Sequence, residues 1–134
     1  LTAMEMKEIE QLLALKFQKK QGAVSKIILQ ERRLRAQLSR LDEQARTAET
    51  SQHQYLQAIG ADVIWNAWLG RTKTSLNLEL AQVLAQKEML LQDARKDYGK
   101  LLVSRELMQN QAEIEQKKGH SKLLGTAINN WLFK

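Results

Sequence analysis

No proline occurs in 134 residues. An average chain of this length carries roughly six or seven. Proline lacks an N–H and clashes with the preceding helical turn, so helix interiors exclude it. Its absence from a chain rich in Leu, Gln, Ala, Lys, Arg and Glu predicts very long helices. Only one place in the first 118 residues punctuates strongly: Gly60, Ala61 and Asp62 follow Ile59. Glycine past a helix end can take the left-handed conformation that closes the last carbonyls. Aspartate can cap the next helix and suits the positive end of its dipole. A stop and a start so close together predict a tight αα-hairpin.

The expected fold is therefore all-α: two long helices forming an antiparallel coiled-coil hairpin over residues 4–118, turning near residues 60–62, followed by a short C-terminal helical tail at residues 119–134. Each arm would run roughly 80 Å at 1.5 Å per residue. Gly22 and Gly70 would lie inside helices, at about 1 kcal/mol each against alanine. A second possibility makes residues 63–69 a separate short helix ended by Gly70.

A heptad register tests the arms. On the first helix the seam runs Met6, Glu10, Leu13, Phe17, Lys20, Val24, Ile27, Glu31, Leu34, Leu38, Leu41, Ala45, Ala48, Gln52, Tyr55 and Ile59, twelve of sixteen apolar. On the second it runs Leu80, Leu84, Lys87, Leu91, Ala94, Tyr98, Leu101, Arg105, Met108, Ala112 and Glu115, eight of eleven apolar, with Leu76, Val83 and Leu90 widening the stripe. A turn centred near residue 60.5 makes facing numbers sum to about 121. Lys20 would then lie near Arg105 and Leu101, and Glu31 near Leu90 and Lys87. Polar seam residues can fix register, or their long side chains can snorkel out of a narrow seam.

The pattern specifies architecture and excludes most chemistry. Without cysteine there is no disulfide, thiolate metal site or cysteine nucleophile. His53 and His120 stand far apart, and Glu49 with His53 has no second pair to complete a di-iron bundle. No phosphate loop, zinc-binding His-Glu-x-x-His helix or serine elbow occurs. The expectation is no enzyme, no cofactor and no metal. No apolar run approaches the roughly 18–20 residues that cross a bilayer. Three acidic residues before Gln11 do not read as a secretory leader, and the cysteine-free composition suits the cytoplasm.

Charge is uneven along a chain of net +6. Residues 11–40 carry eight cations against Glu31 alone, the facing 81–110 nets +1, and 41–80 nets −2. Such a face suits an acidic protein, nucleic acid or an anionic membrane, or is simply solvated. Aromatics are not interleaved with the basic run, which favours protein over nucleic acid. Lys19, Lys26, Arg33 and Arg40 lie off the seam and are the candidate docking cations. Two apolar patches exceed what the seam needs. Residues 63–69 hold Trp65 and Trp68, which pack against Tyr55, Leu56 and Ile59 to close the tip, meet a second hairpin there, or dock a partner. The tail carries Leu123, Leu124, Ala127, Ile128, Trp131 and Leu132 at helical spacing and would fold back or enter a partner.

The stretches at residues 29–46 (LQERRLRAQLSRLDEQAR) and 90–108 (LLQDARKDYGKLLVSRELM), within a proline-free hairpin empty of catalytic groups, resemble the FliJ/YscO-type stalk proteins of flagellar and type III secretion export machines. The resemblance covers about residues 4–118, while the Trp-rich turn and apolar tail depart from it. It implies a coiled-coil stalk in a hexameric export ATPase, linking that ATPase to the export gate and handling export chaperones, in the cytoplasm or peripheral at the inner face of the membrane. The rival readings are a self-associating coiled-coil scaffold and a basic nucleic-acid-binding hairpin.

Overall fold

The computed structural model describes residues 1–51 and 60–133. Two helices account for nearly all of them: α1 spans Ala3–Ser51 and α2 spans Ala61–Leu132. They pack against each other in antiparallel order as a helical hairpin.

Local chemistry explains where the helices start. The hydroxyl of Thr2 accepts from the Glu5 N–H at 3.1 Å, and the Glu5 carboxylate accepts from the Thr2 N–H at 3.2 Å. This reciprocal capping box satisfies two N–H groups that a helix start otherwise leaves unpaired. Gly60 has φ +72°, the left-handed conformation expected of it, and Asp62 sits in the first turn of α2. The helix continues through Gly70, so no short helix separates at residues 63–69. It also continues through Gly119 and Gly125 to Leu132. The expected separate tail is thus the last turns of α2, and it does not fold back. A helical glycine costs stability but not geometry, and neither position needs a positive φ.

The chain divides into two compact units. In the turn-side unit, Gln21–Gln92, the buried core is Ile27, Leu34, Leu41 and Leu69. Leu76, Leu80, Val83, Lys87 and Leu90 supply the half-buried stripe of α2. Lys87 Nζ donates to Glu31 Oε1 at 2.7 Å, as the sequence register expects, and Lys73 pairs with Asp42. The other unit joins Leu1–Lys20 with Asp93–Lys134. Its core is Ala94 and Leu101, with Asp97 buried between them. Phe17 and Tyr98 meet at 4.9 Å between ring centroids.

The α1 seam emerges as expected: each position from Met6 to Ala48 is buried or half-buried. Gln52, Tyr55 and Ile59 lie outside the described residues. On α2 one of the two seam positions in each heptad falls a residue earlier than expected. Asp97, Ser104 and Gln111 face inward, while Tyr98, Arg105 and Ala112 are exposed, as are Leu84 and Glu115. The pairing number is also corrected. Facing residues sum to 113 for Lys16–Asp97 and Lys20–Asp93 and to 115 for Glu10–Arg105 in the first unit. In the turn-side unit they sum to 115 for Asp42–Lys73 and 118 for Glu31–Lys87. Lys20 therefore meets Asp93 at 3.7 Å, not Arg105, which instead donates to Glu10 at 3.1 Å. The physical reason is charge. The expected register sets Lys20 beside another cation, whereas the observed one gives each of these polar residues an opposite partner.

Candidate functional site

The turn-side unit brings together two sets of residues that the sequence leaves apart. An open groove of about 510 Å³ is lined by Arg40, Glu43, Gln44, Thr47 and Ala48 of α1 and Trp65 of α2. Arg40 and Gln44 also border a neighbouring depression of about 320 Å³, with Gln37, Leu41, Thr72 and Leu76. One candidate cation and one candidate tryptophan thus border the same groove.

Each side chain is placed by its helix. Arg40 precedes the buried Leu41 by one residue, so it sits at the seam's margin with its head group in water. Trp65 lies four residues before the buried Leu69 and is half-buried. Trp68, three residues on, is 42% exposed and stacks on Trp65 at 5.2 Å and 25°. Offset ring stacking is worth about 0.5–1.5 kcal/mol beyond area burial. Val63 and Ile64 beside them are 68% and 72% exposed. The tip therefore keeps apolar surface in water. Tyr55, Leu56 and Ile59, expected to close it, lie outside the described residues.

The basic row is solvent-facing throughout. Lys26, Arg33 and Arg40 repeat at seven-residue intervals in the turn-side unit, and Lys19 holds the same heptad position in the other unit. All four are exposed. Among the described residues none of them makes an ion pair, unlike Lys16, Lys20, Arg35, Lys73, Lys87 and Arg105. Glu31, the one carboxylate within residues 11–40, is held by Lys87 at 2.7 Å and Arg35 at 2.8 Å. Hydrogen bonds from Lys87 and then Arg35 lower its pKa from the ordinary 4.5.

Sequence reasoning missed the polar wall of the groove, Glu43, Gln44 and Thr47, because such residues carry no signal on an exposed face. It also missed Asp97. Among the described residues no cluster of metal-ligating side chains occurs, and no helix is long and apolar enough to cross a membrane. His53 lies outside the described residues, and His120 is exposed on α2. The arrangement is an open groove with Arg40, Glu43, Gln44, Thr47 and Ala48 along α1 and one planar aromatic edge from α2. No protein-family model, curated protein or solved structure matches this chain.

Proposed function

We propose that this protein is a non-enzymatic stalk or adaptor of a flagellar or type III secretion export ATPase. It works in the cytoplasm and couples the ATPase hexamer to the export gate, with export chaperones as further clients. The observation that carries the reading is the groove that Arg40 and Trp65 both border, continued along α1 by Arg33 and Lys26, which are free of ion pairs among the described residues. An acidic protein surface with an apolar anchor fits it. Aromatic and Arg side chains dominate binding energy at such places, while exposed cations speed encounter. The antiparallel helix pair with its continuous α1 seam supports a stalk, since it leaves both helices' outer faces free for partners.

The test uses the purified chain with the export ATPase and the gate's cytoplasmic domain. Reversing Lys19, Lys26, Arg33 and Arg40 to glutamate is expected to preserve helicity and to weaken binding. Wild-type binding is expected to fall with salt, because exposed charges are screened over about 8–10 Å near physiological ionic strength. Binding that survives both reversal and salt overturns the electrostatic docking. One observation favours a self-associating scaffold instead: Val103, Leu107 and Ile114 are 55%, 53% and 47% exposed on α2. Solution mass separates the two, because a scaffold of that kind is a dimer or larger.

A further inference from the structure

The last turns of α2 carry an apolar surface that the groove does not explain. Every described residue from Ala112 onward is exposed, with Leu123 at 71%, Ile128 at 54% and Trp131 at 80%. α1 begins at Ala3, which lines an open groove with Met6, Met108 and Ala112. This surface is not the spare end of the intrachain seam. The heptad positions that follow Met108 and Gln111 are Glu115, Lys118, Lys122, Gly125 and Asn129, all without apolar side chains.

The apolar residues gather on a different side. At about 100° per residue, Leu123, Leu124, Ala127, Ile128, Trp131 and Leu132 fall within one half of the helix. Lys118, Lys122, Gly125, Thr126, Asn129 and Asn130 fall in the other half. After Glu115 the sequence holds four lysines, Lys117, Lys118, Lys122 and Lys134, and no carboxylate. Lys117 falls on the apolar side ahead of its first leucine, where a lysine stem can snorkel.

Three occupants can be weighed. A second copy of this segment sets four lysines against four, which is repulsive. A coiled-coil helix covers only a narrow a/d stripe, leaving Leu123 and Leu132 at the margins wet. An anionic lipid surface accepts the whole apolar half, takes the lysines among its headgroups and suits the interfacial preference of tryptophan. Helices this rich in Gly, Thr and Asn gain little from propensity and need a surface to hold them. We infer that the end of α2 docks in the plane of an anionic lipid surface, with Leu124, Ile128 and Trp131 inserted at the acyl boundary. The site is independent of the Arg40–Trp65 groove.

The full chain is mixed with vesicles of phosphatidylcholine alone and of phosphatidylcholine with roughly one-third phosphatidylglycerol. Sedimentation is expected with the anionic vesicles and much less with the neutral ones. Ile128→Glu with Trp131→Glu is expected to weaken that binding about tenfold or more. These side chains make no contact with α1, so helicity by circular dichroism is expected to persist. Lys118→Glu with Lys122→Glu is expected to weaken it likewise, while reversal of Lys26, Arg33 and Arg40 leaves most of it intact. Absence of binding to anionic vesicles overturns the inference, as does binding unchanged in the Ile128→Glu, Trp131→Glu chain. So does a wild-type chain that ignores vesicles and forms an oligomer which that variant dissolves, since the occupant is then a protein helix.

Discussion

Replacing Asp97 with leucine is expected to stabilise the protein. Asp97 is 5% exposed and stands in the seam between Ala94 and Leu101. Its Oδ1 lies 3.8 Å from Nζ of Lys16, whose side chain is 54% exposed. Its Oδ2 has no hydrogen-bond partner among the described residues. A pair with so wet a lysine contributes about 0–1 kcal/mol. A buried acceptor left unpaired costs about 1–3 kcal/mol, and substituting apolar side chains for buried ionic groups has stabilised other proteins by about 1–4 kcal/mol. After a deduction for imperfect fit of the larger leucine, a net gain of about 2 kcal/mol follows. At about 2.1 cal/mol/K per residue, 134 residues have an unfolding entropy that turns this into roughly 7 °C of melting temperature. Circular dichroism melts of wild type and Asp97→Leu, with urea titrations to check the sign, measure it. A variant that melts at or below the wild-type temperature refutes the assignment of Asp97 to a costly seam position. The register expected from sequence alone, with Tyr98 inward and Asp97 in water, predicts almost no change.

Two other outcomes follow from the turn-side unit. Glu31 has a folded-state pKa below its unfolded value, caused first by Lys87 and then by Arg35. Its stabilising contribution is therefore fully present above 4.5 and is lost as pH falls through that value and on through the lower folded pKa. Denaturant titrations from neutral pH to about pH 3 should show wild type losing an advantage over Glu31→Gln, the two converging in acid; parallel curves contradict the pairing. Trp68→Ala removes a stacked but 42% exposed ring and should cost about 1 kcal/mol, whereas the half-buried Trp65→Ala should cost about 3 kcal/mol. Thermal melts that reverse this order would show the tip packed the other way round.

Much of the fold was legible because a few residue types have narrow uses. The absence of proline and the position of Gly60 told that the helices are long and where the second begins, though not that it runs on through Gly119 and Gly125 to Leu132, and the apolar period told the whole described α1 seam. On α2 the apolar period puts Leu84, Tyr98 and Ala112 in the seam and leaves Val83 and Leu90 only to widen the stripe. Leu84, Tyr98 and Ala112 are more apolar than Val83, Asp97 and Gln111 taken together, yet the structure turns the second set inward. What decides the matter is cross-helix pairing, Glu10 with Arg105 and Lys20 with Asp93, which a single-helix period cannot contain. The spacing of Thr2 and Glu5 is that of a capping box and carries the start of α1 in the sequence itself. The groove was only half legible: Arg40 and Trp65 were separately conspicuous, but that both border one groove depends on the pairing register.

That choice of register has an energetic consequence in the unit formed by Leu1–Lys20 and Asp93–Lys134. Its seam holds Asp97, Ser104 and Gln111 at positions where the turn-side unit holds Val83 and Leu90. Meanwhile Leu102, Val103, Leu107 and Ile114 stand 45%, 55%, 53% and 47% exposed on the same helix. Fully burying a side chain of this size is worth about 1.5–3 kcal/mol, so each of the four leaves a substantial part of that unrealised. The ion pairs at this seam cannot make up the difference, since exposed pairs contribute about 0–1 kcal/mol each. What the pairs do supply is register, because a slip of α2 separates Glu10 from Arg105 and Lys20 from Asp93 while leaving the seam's apolar content little changed. The isolated unit thus trades burial for a defined alignment, and its remaining apolar area contributes to stability only when another surface covers it.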